Sequence, residues 1–354
     1  TITIFGGPNF PAGYEEQKTF LEKYPSIDCF FEFEGEMAFI EMFKALQKID
    51  FDWNRFKIER QTVPSIRYLT DGDLVVAELM PQVTDLDSLP SPHLSGISDK
   101  FYDGVLVPMM QTARGCPYAC TFCTEGGSYF QKVKRFSRER IEAELKYIVE
   151  RVKVNDLMIV DANFGMFKED LETTHMLAEL KEKYNWPKCV IAATAKNNKK
   201  RIIEIVNVLG SNTMAPSFSI QTTDEEVLKH IKRKNPPLDQ MIKLGIAANE
   251  MGLQSKAEII LCLEGDNKSV HFKSVFDTLD AGISYILIHQ FRMLPGTESA
   301  SKETREKFGF QTRYRVLPRC FGIYEFRGEP FRSAEIEEIV VGNNSMSYTD
   351  YQDC

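Results

Sequence analysis

Polar and apolar side chains alternate with the period of a strand in the first residues, Thr1-Ile2-Thr3-Ile4-Phe5, and the run stops at Gly6-Gly7-Pro8. Helical spacing follows over Tyr14 to Lys23, then a second strand pattern over Ile27 to Phe33. The next helical stretch places Met37, Phe39, Ile40, Phe43 and Leu46 mainly along one side. Two strands and two helices bury too little apolar surface to stand alone, so residues 1–50 predict part of a larger α/β unit. Residues 51–104 read as a connector. There Val63 to Tyr68 and Leu74 to Ala77 flank Asp71-Gly72-Asp73, a hairpin signal, and Leu86-Asp87-Ser88-Leu89-Pro90-Ser91-Pro92 is an extended, proline-stiffened linker.

From Val105 to about Met293 the two periods alternate, with strands expected near Val105 to Met110, Asp156 to Val160, Cys189 to Ala193, Met214 to Ile220, Lys256 to Leu261 and Tyr285 to Phe291. Six such units predict an α/β fold whose parallel sheet curls into a partial (β/α)6 barrel over residues 105–300, with its chemistry at the carboxyl ends of the strands. Residues 301–354 start a C-terminal region, with a helical stretch at Lys302 to Phe308 and strands at Phe321 to Phe326 and Ile336 to Val341.

The 354 residues, 43% hydrophobic, suffice for two domains, and no apolar run approaches the roughly 18 residues of a membrane span. A net charge of −8 gives no general attraction to nucleic acid. The basic clusters at Lys132 to Arg140, Lys196 to Arg201 and Lys229 to Lys234 read as solvated helix ends. Cys29, Cys189, Cys262, Cys320 and Cys354 stand alone and read as reduced thiols of a cytoplasmic protein. A first residue that is Thr and a direct start in an apolar strand suggest a fragment of a longer protein, cut at both ends.

The remaining three cysteines fall within Cys116-Pro117-Tyr118-Ala119-Cys120-Thr121-Phe122-Cys123. Spaced C-x3-C-x2-C on one loop, their thiolates can bind three irons of a 4Fe-4S cube and leave the fourth open to a cosubstrate. Zinc with a distant fourth ligand, or three small buried residues with one disulfide, are the alternatives. Zinc sites usually repeat a C-x2-4-C pair, and no second pair follows.

The spacing, Phe122 before the third cysteine, and the preceding Thr112-Ala113-Arg114-Gly115 resemble the radical S-adenosylmethionine (SAM) superfamily. Phe5-Gly6-Gly7-Pro8 and Glu32-Phe33-Glu34-Gly35-Glu36 resemble the second half of the Rossmann-like cobalamin-binding domain that precedes the barrel in one subgroup, with Phe33 where a glycine is usual. The resemblance implies Cys116, Cys120 and Cys123 as cluster ligands. It implies SAM or cobalamin contacts from Gly6, Gly7, Glu125, Gly126, Asp161, Asn163, Ser219, Gln221 and Glu258. Read from the residues alone, Gly126 also fits a plain turn, and Asp161, Asn163 and the Ser219 segment also fit helix starts. Two glycines of the family's adenine element are missing around Glu258, while Leu294-Pro295-Gly296-Thr297 matches a family loop. The Asp-x-His-x-x-Gly motif of many cobalamin proteins is absent, and the first histidine is His93.

The activity implied is reductive cleavage of SAM to a 5'-deoxyadenosyl radical, with cobalamin-dependent methyl transfer to an unactivated centre of a small-molecule or natural product. The electron donor would be a flavodoxin or ferredoxin. Ring closure or rearrangement, with or without cobalamin, is the runner-up; a non-catalytic iron–sulfur electron carrier or redox sensor is the rival of another class. The residues single out no catalytic side chain. His289 and Gln290 lie on the last strand, where alternation turns one of them inward, and a satisfied core histidine is the plainer reading of His289.

Overall fold

The computed structural model describes residues 1–196, 199–215, 217–237, 239, 242, 246, 252 and 255–354. The helix expected before the fifth barrel strand falls largely outside the described residues, as do Asn197 and Asn198 of the second basic cluster.

Strands β1 (Ile4–Gly7) and β2 (Cys29–Glu32) pair in parallel, and β3 (Ile66–Thr70) and β4 (Asp73–Val76) extend the sheet antiparallel in the order β1-β2-β3-β4. The hairpin thus completes the front sheet. Its turn residues Asp71 and Gly72 both have positive φ, 51° and 76°, as the right-handed strand twist favours. All four residues of β2 are buried, Cys29 and Phe31 with the helices on one face, Phe30 with Phe10 and Leu21 on the other.

Helix α1 (Tyr14–Lys23), α2 (Glu36–Gln47) and α3 (Trp53–Ile58) belong to this unit. In α2 the buried residues are Ala38, Met42 and Leu46, an i, i+4, i+8 stripe. Met37, Phe39, Ile40 and Phe43, expected to share that face, are exposed. Apolar residues occupy so many positions of this helix that periodicity leaves the inward face undecided.

The barrel consists of two parallel three-stranded sheets. One is ordered β5 (Met109–Met110), β8 (Asp156–Phe164), β9 (Cys189–Thr194), the other β10 (Ser217–Gln221), β11 (Lys256–Leu261), β12 (Tyr285–Gln290). They adjoin where Val190 N–H donates to the Thr213 carbonyl (2.7 Å) and Thr194 Oγ1 to the Ser217 carbonyl (2.6 Å). Strand β5 is shorter than expected: the Asp103 carboxylate accepts from the amides of Val105 and Leu106, holding them in a turn. Helices α4 (Arg138–Val149), α5 (Lys168–Tyr184) and α6 (Lys199–Leu209) accompany the first sheet, where Leu145, Ile148, Leu157, Ile159 and Leu177 join one buried cluster. Helices α7 (Glu225–His230) and α8 (Lys268–Asp280) accompany the second.

After helix α9 (Lys302–Phe308) come β13 (Gln311–Phe326) and β14 (Glu329–Gly342), one long antiparallel ribbon that contains both strands expected there, then α10 (Tyr348–Asp353). The end of β14, Ile339 to Val341, is buried beside β12, with Val340 N–H donating to the Phe291 carbonyl (2.8 Å). No helix among the described residues is long and apolar enough to cross a membrane.

The front unit meets the barrel through groups that hydropathy does not reveal. Lys134 Nζ lies 2.9 Å from Glu34 Oε1, and Arg114 Nη2 lies 2.9 Å from Glu36 Oε1. Phe33 stacks on Tyr129 with ring centroids 4.1 Å apart. The basic cluster at 132–140 is therefore no solvated helix end: Lys134 is buried against Glu34, Arg135 pairs with Asp170 (2.7 Å) and Arg140 with Glu144 (2.6 Å). On the opposite side, Gly296 (φ +84°) abuts the front loop so closely that a Cβ would stand 2.6 Å from the Pro8 and Phe10 carbonyl oxygens. Gly296→Ala should therefore lower stability by about 3 kcal/mol, overpacking adding to left-handed backbone strain. Chemical denaturation checks this against Gly127→Ala, whose Cβ meets nothing within 4 Å.

Candidate functional site

A short ladder, β6 (Ala113–Arg114) with β7 (Lys134–Arg135), pins the neck of the cysteine loop. Inside it Cys116 N–H donates to the Phe130 carbonyl (2.8 Å), Cys123 N–H to Cys120 (3.1 Å) and Gly126 N–H to Cys123 (2.9 Å). A Cβ on Gly126 would collide with the Cys120 carbonyl, so glycine is required for the turn of Thr124–Gly126 to close over the loop. Gly115 (φ +105°) is also confined: a Cβ there would stand 2.6 Å from the Phe130 carbonyl oxygen. Far elements hold the middle: Thr121 N–H donates to the Ile231 carbonyl (3.2 Å), and Thr121 Oγ1 to Glu264 Oε1 (2.8 Å). The same Glu264 oxygen accepts from Ser299 Oγ, and Ser299 N–H donates to the Thr121 carbonyl (3.0 Å). Glu264, fully buried, thus joins the loop to the turn after β11 and to the segment after Pro295-Gly296-Thr297.

Polar donors converge on the sulfurs. Asn163 Nδ2 lies 3.1 Å from Cys116 Sγ; Lys196 Nζ lies 3.5 Å and Arg233 Nη1 3.9 Å from Cys120 Sγ. Cys116 and Cys120 are buried, and burial pushes the Cys123 thiol up. Among the described residues no three His, Cys, Asp or Glu side chains gather around a single ion. A cube places each thiolate on a different iron and needs no such convergence. Donors aimed at sulfur suit thiolates that carry negative charge, so these residues fit a cluster. All eight cysteines are free thiols.

The residues expected at the cofactors separate into three groups. Asp161 and Asn163 stand at the loop. Both Asp161 oxygens face Thr112, Oδ1 accepting its N–H (2.7 Å) and Oδ2 its hydroxyl, so this carboxylate anchors the loop's entry. Burial pushes its pKa up, with those hydrogen bonds opposing. Asn163 keeps Oδ1 buried without a hydrogen-bond partner, as does Gln221 with Oε1; Gln221 ends β10 at φ +64°. Such orphaned acceptors suit the ammonium and hydroxyl donors of a bound cosubstrate.

Gly6, Gly7 and Glu125 line a second place, an open cleft of about 620 Å3 between the front sheet and the cysteine loop, which Phe33, Gln111 and Arg114 also line. Here Glu125 Oε2 is buried and unpartnered, its pKa raised by burial against the pull of Lys196. Gly7, at φ +114°, leaves open space where a side chain would stand, which fits a bulky flat ligand at the strand ends.

Ser219 and Glu258 form the third group, a polar row on β10–β12. Ser219 Oγ lies 3.3 Å from Glu258 Oε2; Lys256 Nζ lies 3.2 Å and His289 Nε2 4.0 Å from Glu258 Oε1. His289 and Lys256 hold Glu258 down at about 2 against the effect of burial. His289 is thus a half-exposed partner of a carboxylate, not a core residue. Sequence reasoning missed Lys196, Arg233 and Glu264. The first two lay in clusters read as solvated, yet Arg233 is buried and Lys196 lies over the Tyr118 ring at 4.9 Å.

The model of the radical SAM superfamily matches residues 110–271. The chain belongs to the radical SAM superfamily. A cobalamin-dependent radical SAM methyltransferase of Streptomyces tokunonensis, TokK, is 30% identical over 98% of this chain and 50% of its own length. A 2-(S-pantetheinyl)-carbapenam-3-carboxylate methyltransferase of Streptantibioticus cattleyicolor is 28% identical over 100% of this chain and 51% of its own. The chain spans about half the length of these curated relatives. Among solved structures, the radical SAM methyltransferase TsrM from Kitasatospora setae shares the fold, with a TM-score of 0.61 at 13% identity over 89% of this chain and 60% of that one.

Two outcomes are expected of this radical SAM protein. Gly126→Ala should lose most of its iron and sulfide after anaerobic reconstitution, whereas Gly127→Ala should load normally; metal analysis reads both. Glu258 is charged in the fold down to about 2, below the ordinary 4.5, so its contribution is present above pH 4.5 and lost as the pH falls toward 2. In Glu258→Gln, the loss of stability between those values should be shallower in acid titrations of unfolding.

Proposed function

We propose that the protein is a cobalamin-dependent radical SAM methyltransferase acting on an unactivated carbon or phosphorus centre of a small-molecule or natural-product substrate. It takes electrons from a low-potential donor such as flavodoxin or ferredoxin in a reducing cytoplasm. What supports this reading above all is the cleft: Glu125, two residues beyond the third cysteine, lines it together with Gly6 and Gly7 of the front sheet. A group seated on the front strands then lies beside whatever the cysteine loop holds.

When bound, the cluster supplies the electron that cleaves SAM, and cobalamin carries the methyl group to be transferred. Cys116, Cys120 and Cys123 hold three irons, and the Asn163 amide orients the first sulfur. Asn163 Oδ1 and Gln221 Oε1 accept hydrogen bonds from the amine and ribose of SAM, with Ser219 and Glu258 on the adenosine side. Gly6 and Gly7 let the front backbone approach the corrin, and Glu125 reaches it from the loop. In this reading residues 1–50 with the hairpin of 51–104 form the cobalamin wall, 105–300 the barrel, and 301–354 the start of a region over the substrate.

The test is product analysis by mass spectrometry after anaerobic reconstitution with SAM, reductant and cobalamin. 5'-Deoxyadenosine should form with the native protein and be absent with Cys120→Ala, and S-adenosylhomocysteine should accompany it. A fully loaded cluster that yields neither product with candidate substrates would favour an electron carrier; 5'-deoxyadenosine alone would favour cyclisation or rearrangement.

A further inference from the structure

The interior of the barrel has two unlike walls. Residues paired in a parallel ladder point to the same side of the sheet. In the first sheet Met109, Met158 and Ile191 are such partners, and they lie away from the helices, because their neighbours Met110, Leu157 and Val190 are the ones in the helix-side cluster. That wall is apolar and open, with Met109 58% and Ile191 43% exposed. Across the β9–β10 seam the corresponding side of the second sheet is polar: Ser219 pairs with Glu258, Lys256 stands two residues before Glu258, and His289 pairs with Ile260. Phe218, Ile220 and Ala257 form the buried cluster on its other side.

Nothing in the methyl transfer proposed above uses His289. It is the penultimate residue of β12, toward the end of the barrel from which the cysteine loop springs. Its side chain is 39% exposed, and Nε2 faces Glu258 Oε1 at 4.0 Å. Glu258 is itself held in place, by Lys256 Nζ at 3.2 Å from the same oxygen and by Ser219 Oγ at 3.3 Å from the other. His289 contributes most to holding Glu258 at about 2, so the carboxylate beside the ring stays ionised. Among the described residues the imidazole has no other polar partner.

An ionised carboxylate beside one ring nitrogen favours the tautomer that carries the proton there and leaves the second nitrogen an acceptor. With Nε2–H turned to Glu258, the acceptor is Nδ1, on a ring open to the interior. It selects a partner that donates. The apolar wall selects hydrocarbon, and the one strongly charged group left on the polar wall, Lys256, is already paired with Glu258.

We propose that His289 is a substrate-contact residue, whose Nδ1 accepts a hydrogen bond from a hydroxyl or N–H of the molecule to be methylated while the apolar body of that molecule lies against Met109, Met158 and Ile191. Glu258 is the positioning residue for the ring. This deepens the methyltransferase reading above and rests on it; Ser219 and Glu258 Oε2 stay on the adenosine side.

The experiment compares two probes of nearly equal shape, 2-naphthol and 2-methoxynaphthalene, of which only the first donates. Their affinities are read by fluorescence titration of the reconstituted protein with SAM. Native protein should bind 2-naphthol about fivefold more tightly, the ratio one neutral hydrogen bond gives. His289→Phe should bring the ratio to one with the ether's affinity unchanged, and His289→Gln, which keeps an acceptor, should restore part of it. In the imidazole 15N spectrum of the five histidines, one Nδ1 resonance, absent from His289→Phe, should move with 2-naphthol and not with the ether. Equal affinities in the native protein, no binding of either probe, or a ratio that survives in His289→Phe overturns the proposal. Equilibrium dialysis of SAM is the control: binding to His289→Phe should equal native, and weaker binding would assign His289 to the adenosine and overturn the proposal as well. The probe ratio is read without turnover, so a native protein that shows it yet forms no 5'-deoxyadenosine would remove the radical SAM reading and leave the contact standing.

Discussion

A buried carboxylate holds the cysteine loop to the barrel. Glu264 is fully enclosed, and its Oε1 accepts from a pair of hydroxyls, Thr121 from the loop and Ser299 from beyond the last barrel strand, while Oε2 is buried without a hydrogen-bond partner. Three segments distant in sequence are thereby one mechanical unit. The neck ladder β6–β7 and the Thr112–Asp161 bonds fix the other end of the loop. Cysteines separated by so few residues would otherwise sit on flexible chain, and the cluster site proposed for them needs its side chains held to a fraction of an ångström.

The front unit depends on the barrel in turn. Its sheet is small, and its union with the barrel uses charge and ring stacking as well as apolar area. Glu34 and Lys134 are both largely buried, so removing Glu34 strands the Lys134 ammonium at a cost of about 3 kcal/mol, whereas Glu34 also keeps Arg114 and the Val83 N–H. Phe33 illustrates the trade. It takes a left-handed φ of 64°, at a cost of about 1 kcal/mol for a residue with a Cβ, and it gains a stack on Tyr129. A glycine there would relax the backbone and lose the contact.

Much of this architecture is legible in the linear chain. The C-x3-C-x2-C spacing brings three cysteines together on one loop, and a tight loop needs no tertiary information to do so. Alternating runs such as Lys256 to Leu261 declare strands, and Asp71-Gly72 declares its own turn. Legibility ends where a residue's role is conferred by a distant partner. Nothing local separates Arg233, buried at a cysteine, from Lys229, solvated four residues earlier. Asp161, expected at a cosubstrate, spends both oxygens on Thr112.

The sequence by itself determined the order of strands and helices, the cysteine loop that carries the radical SAM resemblance, and the glycines that bend tightly around it. These follow from short-range sterics and from hydrophobic period, which act within a few residues. Only the tertiary structure decided which face of α2 turns inward, which carboxylates are anchors, and which cations meet sulfur. Burial and charge pairing are properties of neighbourhoods assembled from remote segments, and an electrostatic partner in a dry interior outweighs any preference the side chain carries alone.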